Sequence, residues 1–359
     1  MPVFRRVDQY GNIRVYEFGP EDGRKILFIH GISTTCMTLQ DVARPLAEKG
    51  CRVMLFVSSL PMPPPHQSEI RAARWQCSVS ILKRGAQDLF GRGYSDAPGD
   101  VQYDERLYVT QALLALASSP LAWTGERAMS VVGYSLGGGI AAEFAAAYPH
   151  MVDTLVLLAP AGLIRPENFG RASRLVFASG IVPERLLAGL TRWRLRRPID
   201  RAVAKRRRPS SAVEGRESVF DVADQEAADP NEAEPSPTPF ERKVESVVHW
   251  TLDQHEGFVR AFMSTIRHGP LMGRQATWRR LARRRPGSTA VLLGRHDQLI
   301  QRDDYAEDAL PLLGGPDRVF WRIVPGAHNF PFTNGPDALE HLYEFWGMGG
   351  GNQDRDEKE

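Results

Sequence analysis

Ser135 stands between glycines in Gly133-Tyr134-Ser135-Leu136-Gly137, with the strand-like run Met129 to Val132 before it and the small-residue helix Ile140 to Ala147 after it. A serine on so tight a strand-to-helix turn is lifted clear of the sheet, and glycines two residues away on each side let strand and helix pack closely. A serine hydroxyl is a weak nucleophile at neutral pH. It needs a base within hydrogen-bond reach and an acid that fixes the tautomer of that base. Asp297, after the apolar run Val291 to Gly294, and His328, after the run Val319 to Pro325, supply those residue types in the chain order Ser, Asp, His. His328 follows the last strand-like run at a Gly-Ala turn. Of its competitors, His66 lies in an anomalous segment, His249, His255 and His268 in a long insert, and His150 and His341 at helix ends. Asp303 and Asp304 compete for the acid but sit where a helix begins, as cap residues would.

A tetrahedral intermediate carries a negative oxygen, which backbone N–H groups can hold. The residue after the nucleophile, Leu136, and Ile32 in the turn after His30-Gly31 are the expected donors. His30 is read as holding that turn rather than doing chemistry, and Asp88, Gly91 and Gly93 as shaping the sheet end, with Gly91 at positive φ. Trp193, Trp250, Trp278, Phe258, Phe262 and Met263 are mainly core by their helical spacing, with some of them facing a ligand.

Five motifs in order, FIHG (28 to 31), DLFGRGYSDAP (88 to 98), GYSLGG (133 to 138), LLGRHD (292 to 297) and PGAHNF (325 to 330), resemble those of the α/β-hydrolase superfamily over roughly residues 10 to 56, 88 to 162 and 286 to 346. Within it the chain is similar to small cap-bearing serine hydrolases, the group that holds esterases and carbon-carbon bond hydrolases. The resemblance implies an α/β fold: a mostly parallel central sheet flanked by helices, with an inserted helical cap. Ser135 departs from the aspartate nucleophile of haloalkane dehalogenases and epoxide hydrolases. Ile-Ser-Thr-Thr after His30-Gly31 departs from the glycine-proline-glycine of meta-cleavage-product hydrolases.

Composition is consistent with this. The chain of 359 residues is 42% hydrophobic, enough to bury a core, and its net charge of +2 gives no whole-protein attraction to nucleic acid or an anionic surface. No run of 18 apolar residues spans a membrane, and Cys36, Cys51 and Cys77 lack metal-ligand spacing. The expectation is a cytoplasmic enzyme without metal or cofactor, acting on a small ester-like substrate, with its oligomeric state left open.

The expected organisation is a first core part at 1–161, a cap at 162–286, a second core part at 287–346 and a disordered tail at 347–359. Residues 3 to 7 and 13 to 18 read as strands around a turn at 9–12. The cap contains a basic stretch, Arg192 to Arg208, whose Lys205-Arg206-Arg207-Arg208 reads as a solvated helix end. An acidic, proline-rich segment at about 210–239 should be disordered, and a helix over Phe240 to Ile266 should roof the pocket. Residues 57–87 interrupt the rhythm. The resemblance implies that a strand ending at Phe56 leads directly into Asp88, yet thirty-one residues with Pro61, Pro63, Pro64 and Pro65 intervene. Val57-Ser58 can be encoded by an intron's consensus start and Gln87 by its usual end, so this segment is read as a short intron retained in the message of a fungus-like eukaryote.

Overall fold

The computed structural model describes residues 15–33, 39–56, 89–92, 97–165, 183–197 and 239–348. The expectations for residues 3 to 7 and the turn at 9–12, for 57–87, Asp88 and Gly93, for 198–238, for Cys36 and Cys77, and for the tail beyond 348 lie outside the described residues.

Seven strands form one sheet: β1 (Val15–Phe18), β2 (Lys25–Ile29), β3 (Arg52–Phe56), β4 (Met129–Tyr134), β5 (Val152–Leu158), β6 (Thr289–Gly294) and β7 (Phe320–Val324). Their order is β1-β3-β2-β4-β5-β6-β7, with β1 antiparallel on β3 and every other pair parallel. A parallel sheet is covered on both faces, which is why β4 (MSVVGY) and β6 (TAVLLG) are buried at every position instead of alternating. The register puts Ile29 opposite Gly133, Tyr134 opposite Leu158 and Gly294 opposite Val324. The residues that follow these strands therefore meet along one edge of the sheet, outside its carboxyl ends, where open α/β sheets bind ligands.

Helices α1 (Gln40–Glu48), α2 (Glu105–Ser118) and α3 (Leu136–Ala147) belong to the first half of the fold. Asp104 caps α2 by accepting the Leu107 N–H. Helix α3 is apolar apart from Glu143 and buried from Leu136 to Ala145, as a central helix must be. Between β5 and β6 the described chain forms α4 (Glu184–Leu195), α5 (Pro239–Gln254), α6 (Phe258–His268) and α7 (Gln275–Leu281). The single helix expected over Phe240 to Ile266 is thus two. The break falls at Glu256-Gly257, where glycine propagates a helix poorly and the Phe258 N–H turns back to the His255 carbonyl. The expected apolar face survives the break: Val244, Val247, Val248, Thr251, Leu252 and Phe258 are all buried. After β6 come α8 (Arg302–Leu312), the short α9 (Phe330–Thr333) and α10 (Gly335–Trp346), which packs against α1 and β7.

Candidate active site

The backbone at Ser135 has φ 53° and ψ −122°, a region that non-glycine residues rarely occupy and that persists only where the surroundings impose it. The surroundings are visible. The Ser135 N–H donates to the Leu158 carbonyl at the end of β5, and its own carbonyl accepts the N–H groups of Gly138, Gly139 and Ala161. A Cβ on Gly133 would lie 2.2 Å from the Gly137 carbonyl oxygen, and one on Gly137 would lie 2.1 Å from that of Ile29. Both glycines are therefore needed for β2, β4 and α3 to approach as they do. Leu136 opens α3, so its N–H belongs to the first turn, which has no acceptor within the helix.

The Nε2 of His328 lies 3.0 Å from the Ser135 Oγ, and its Nδ1 lies 2.7 Å from the Asp297 Oδ2. All three residues are buried, His328 to within 1% of full burial. Asp297 is held by its other oxygen, Oδ1, which accepts the N–H groups of Leu299 and Ile300 at 2.9 and 2.7 Å. Those bonds leave Oδ2 aimed at the imidazole. Backbone bonds lace the acid-bearing loop to the histidine-bearing loop, Arg295 N–H to the Val324 carbonyl and His296 N–H to the Gly326 carbonyl, so acid and base share one frame. The Tyr134 ring packs between the His328 ring (5.3 Å between centroids) and Phe332 (5.0 Å). In such a row the imidazole can take a proton from the hydroxyl while the carboxylate holds the Nδ1–H tautomer.

Other sequence candidates are placed elsewhere. Asp303 and Asp304 lie in the first turn of α8, whose N-cap is Gln301. They are first-turn acids favoured by the helix dipole and not the cap residues expected. Asp303 is exposed beside Arg302, and Asp304 pairs with Arg165. Trp193 is half exposed under the Arg197 guanidinium, outside the core that its helical spacing implied, and Trp278 is buried edge-on against Tyr305. Phe258, Phe262 and Met263 are core. Cys51 is a buried free thiol, with burial pushing its pKa up.

His30 holds its turn. The Leu89 N–H donates to its Nε2, so the proton sits on Nδ1 and is donated to the Gly31 carbonyl at 2.8 Å. Gly91 has φ +76°, and a Cβ there would lie 2.0 Å from the Ala261 Cβ of α6. The sequence reading passed over Arg92. It is 2% exposed and donates from Nε to the Ile32 carbonyl, from Nη1 to the Phe90 carbonyl and the Tyr108 hydroxyl, and from Nη2 to the Thr265 Oγ1. The signal available was an arginine set between Gly91 and Gly93 inside the glycine-rich motif.

A family model described as alpha/beta hydrolase fold matches residues 86–334. The chain is 40% identical to the 2-hydroxymuconate semialdehyde hydrolase of Pseudomonas sp. (strain CF600) over 102 residues, 27% of this chain and 34% of that protein. It is 30% identical to a protein of the same name from Pseudomonas putida over 151 residues, 42% of this chain and 48% of that one. The match thus spans a third to a half of the length of these relatives. The fold is shared with the esterase of Exiguobacterium antarcticum at a TM-score of 0.58 and 16% identity, covering 96% of this chain and 99% of that one.

Proposed function

From the premise that the chain belongs to the α/β-hydrolase fold family, we propose that it is a serine hydrolase that cleaves a carboxylic ester, thioester or amide of a small organic molecule through an acyl-enzyme. The observation that carries this reading is the unbroken row Asp297 Oδ2, His328, Ser135 Oγ, at 2.7 and 3.0 Å, on a serine at positive φ. Ser135 attacks the carbonyl carbon and His328 takes its proton. The oxygen that becomes negative is held by the N–H groups of Ile32 and Leu136, each such donor worth about 3 kcal/mol in the transition state. As the tetrahedral adduct collapses, His328 gives the proton to the leaving group. It then takes a proton from the water that releases the acid, while Asp297 stabilises the imidazolium in both steps. The helices between β5 and β6 act as the cap and supply selectivity, and no described helix is long and apolar enough to cross a membrane.

The sequence match to proteins named 2-hydroxymuconate semialdehyde hydrolase favours a second reading, hydrolysis of a carbon-carbon bond beside a ketone by the same residues. Labelling with a fluorophosphonate, followed by turnover of p-nitrophenyl esters and of a ring-fission dienone, separates the readings. Label on Ser135 with ester turnover alone supports the first, and dienone turnover exceeding ester turnover supports the second. Absence of label on Ser135 sinks both.

A further inference from the structure

We propose that Arg92 is a positioning residue for this reaction: it locks the loop whose Ile32 N–H receives the oxyanion and couples that loop to cap helix α6. This rests on the reading of Ser135 as nucleophile and Ile32 as oxyanion donor. In a trans peptide the carbonyl and the N–H point in opposite directions. The Gly31 carbonyl is fixed by the His30 Nδ1–H at 2.8 Å, which sets the peptide plane that carries the Ile32 N–H. The next carbonyl, that of Ile32, is fixed by the Arg92 Nε–H at 3.1 Å. With both peptide planes around Ile32 tied down from behind, its N–H cannot swing away as charge develops. Preorganised donors stabilise a transition state because they need no reorganisation during the reaction.

Arg92 is itself held by a network with one consistent set of protons. The Thr265 hydroxyl donates to the Ala261 carbonyl at 2.7 Å, so its oxygen accepts from Arg92 Nη2 at 2.9 Å and from the Tyr108 hydroxyl at 2.6 Å. Tyr108 in turn accepts from Arg92 Nη1 at 2.9 Å. Burial pushes the Tyr108 pKa up, which keeps it a neutral hydroxyl able to donate. Three elements far apart in sequence meet on one planar guanidinium: the oxyanion loop at Ile32, α2 at Tyr108 and α6 at Thr265. The contact of Gly91 with Ala261 seats α6 on the same turn. A lysine, a point donor without the fork, reaches one or two of these acceptors but not all of them.

The test compares wild type, R92K, R92M and T265V, with competent serines counted by fluorophosphonate titration so that rates refer to active enzyme. For a soluble p-nitrophenyl ester, R92M should lower kcat per titrated site by ~10–100-fold with KM within about threefold. A boronic acid, which binds as a tetrahedral anion, should lose affinity in parallel. R92K should fall between the two, and T265V should lose a few-fold in the same two readouts. Unchanged kcat per site and unchanged boronate affinity in R92M, with only the melting temperature reduced, would overturn the proposal. If R92M does not fold, T265V decides on the same readouts, and no change in either overturns it. Wild type that takes no label on Ser135 would fail at the earlier reading and remove this one with it.

Discussion

The loops at the carboxyl ends of the strands and the helices inserted between β5 and β6 are held by different physics. Ser135, Asp297 and His328 each lie within four residues of a strand end. The strands are in hydrogen-bonded register, and the loops are joined by further backbone bonds, Ser135 to Leu158 and Ala161, Arg295 to Val324, His296 to Gly326. The insert meets the core mostly through side chains. Arg92 bonds Thr265, Arg274 pairs with Glu105 at 2.8 Å, Thr277 donates to Glu143, and Arg165 pairs with Asp304 and Asp308. Backbone hydrogen bonds can be made by any residue but proline, whereas these joints depend on particular side chains. Side chains in the insert can therefore be substituted while the row at the strand ends stays in place.

The largest effect expected from this contrast is at the strand ends. Ser135→Ala removes the proposed nucleophile without filling space and should abolish turnover and labelling while the circular dichroism spectrum and melting temperature stay near wild type. His328→Ala should cost as much. Asp297→Asn should cost less, since the oxyanion donors and binding retain part of the rate enhancement and residues acting as a unit are not additive. Asp303→Asn, on the exposed start of α8, should be silent in the same assay. Equal damage from Asp303→Asn and Asp297→Asn would mean the acid is misassigned.

One substitution made in both regions sharpens the comparison. Gly137→Ala places a Cβ 2.1 Å from a backbone oxygen that the sheet register fixes, so it should destabilise by ~3 kcal/mol, measured by urea denaturation. Gly189→Ala lies within α4, where an added Cβ meets nothing within 4 Å, and should stabilise by roughly 0.5–1 kcal/mol because alanine is the better helix former. The same sign at both positions would mean that the two regions are not held differently.

What was legible in the sequence follows the same division. Strand-end residues are announced by short apolar runs and by glycines whose absence of a side chain is geometrically required, so Ser135, Asp297, His328 and the structural role of His30 could be placed from residue order. Arg92, Tyr108 and Thr265 come together from three elements separated by up to 173 positions, and no spacing rule brings them to one point. The split of α5 from α6 was missed because the apolar face continues through the break and periodicity reads the face, not the backbone turn at Gly257. Trp193 was misread because an aromatic at helical spacing carries no mark of which face is covered.

The junction of β3 with the following turn offers a smaller, directional test. The register pairs Phe28 with Leu55, so the next residues, Ile29 and Phe56, end their strands side by side. The Leu89 N–H donates to the His30 ring one residue beyond Ile29. The chain thus leaves at Phe56 and is back at Leu89 beside the same strand end, and the family match begins at residue 86. We propose on this basis that 57–87 is an insertion in the core, and its intron origin rests separately on what Val57-Ser58 and Gln87 can be encoded by. A chain joining Phe56 directly to Asp88 should be at least as soluble and as active per labelled serine as the full chain. Loss of folding on removal would show the segment to be integral, and a message that always contains it would defeat the intron origin.

The smallest effect expected is a slope of stability with pH at the seam between α3 and the insert. Glu143 is buried, and loss of solvation, helped by the charge of Glu105, raises its pKa against the Thr277 hydrogen bond and the charges of Arg274 and Arg280, which lower it. A carboxyl whose folded pKa exceeds its unfolded value binds its proton more tightly when folded. Its contribution is fully present below the ordinary carboxyl value of about 4.3 and declines as pH rises through the raised folded value. Glu143→Gln keeps an acceptor for the Thr277 hydroxyl and removes the titration. Its melting temperature should match wild type near pH 4 and exceed it by about 1–2 °C at pH 7. A variant less stable than wild type at pH 7 would show that the attraction of Arg274 and Arg280 outweighs the cost of burying the charge. The seam would then be an ion-pair joint strong enough to fix the insert's position, and the contrast between the two regions would weaken accordingly.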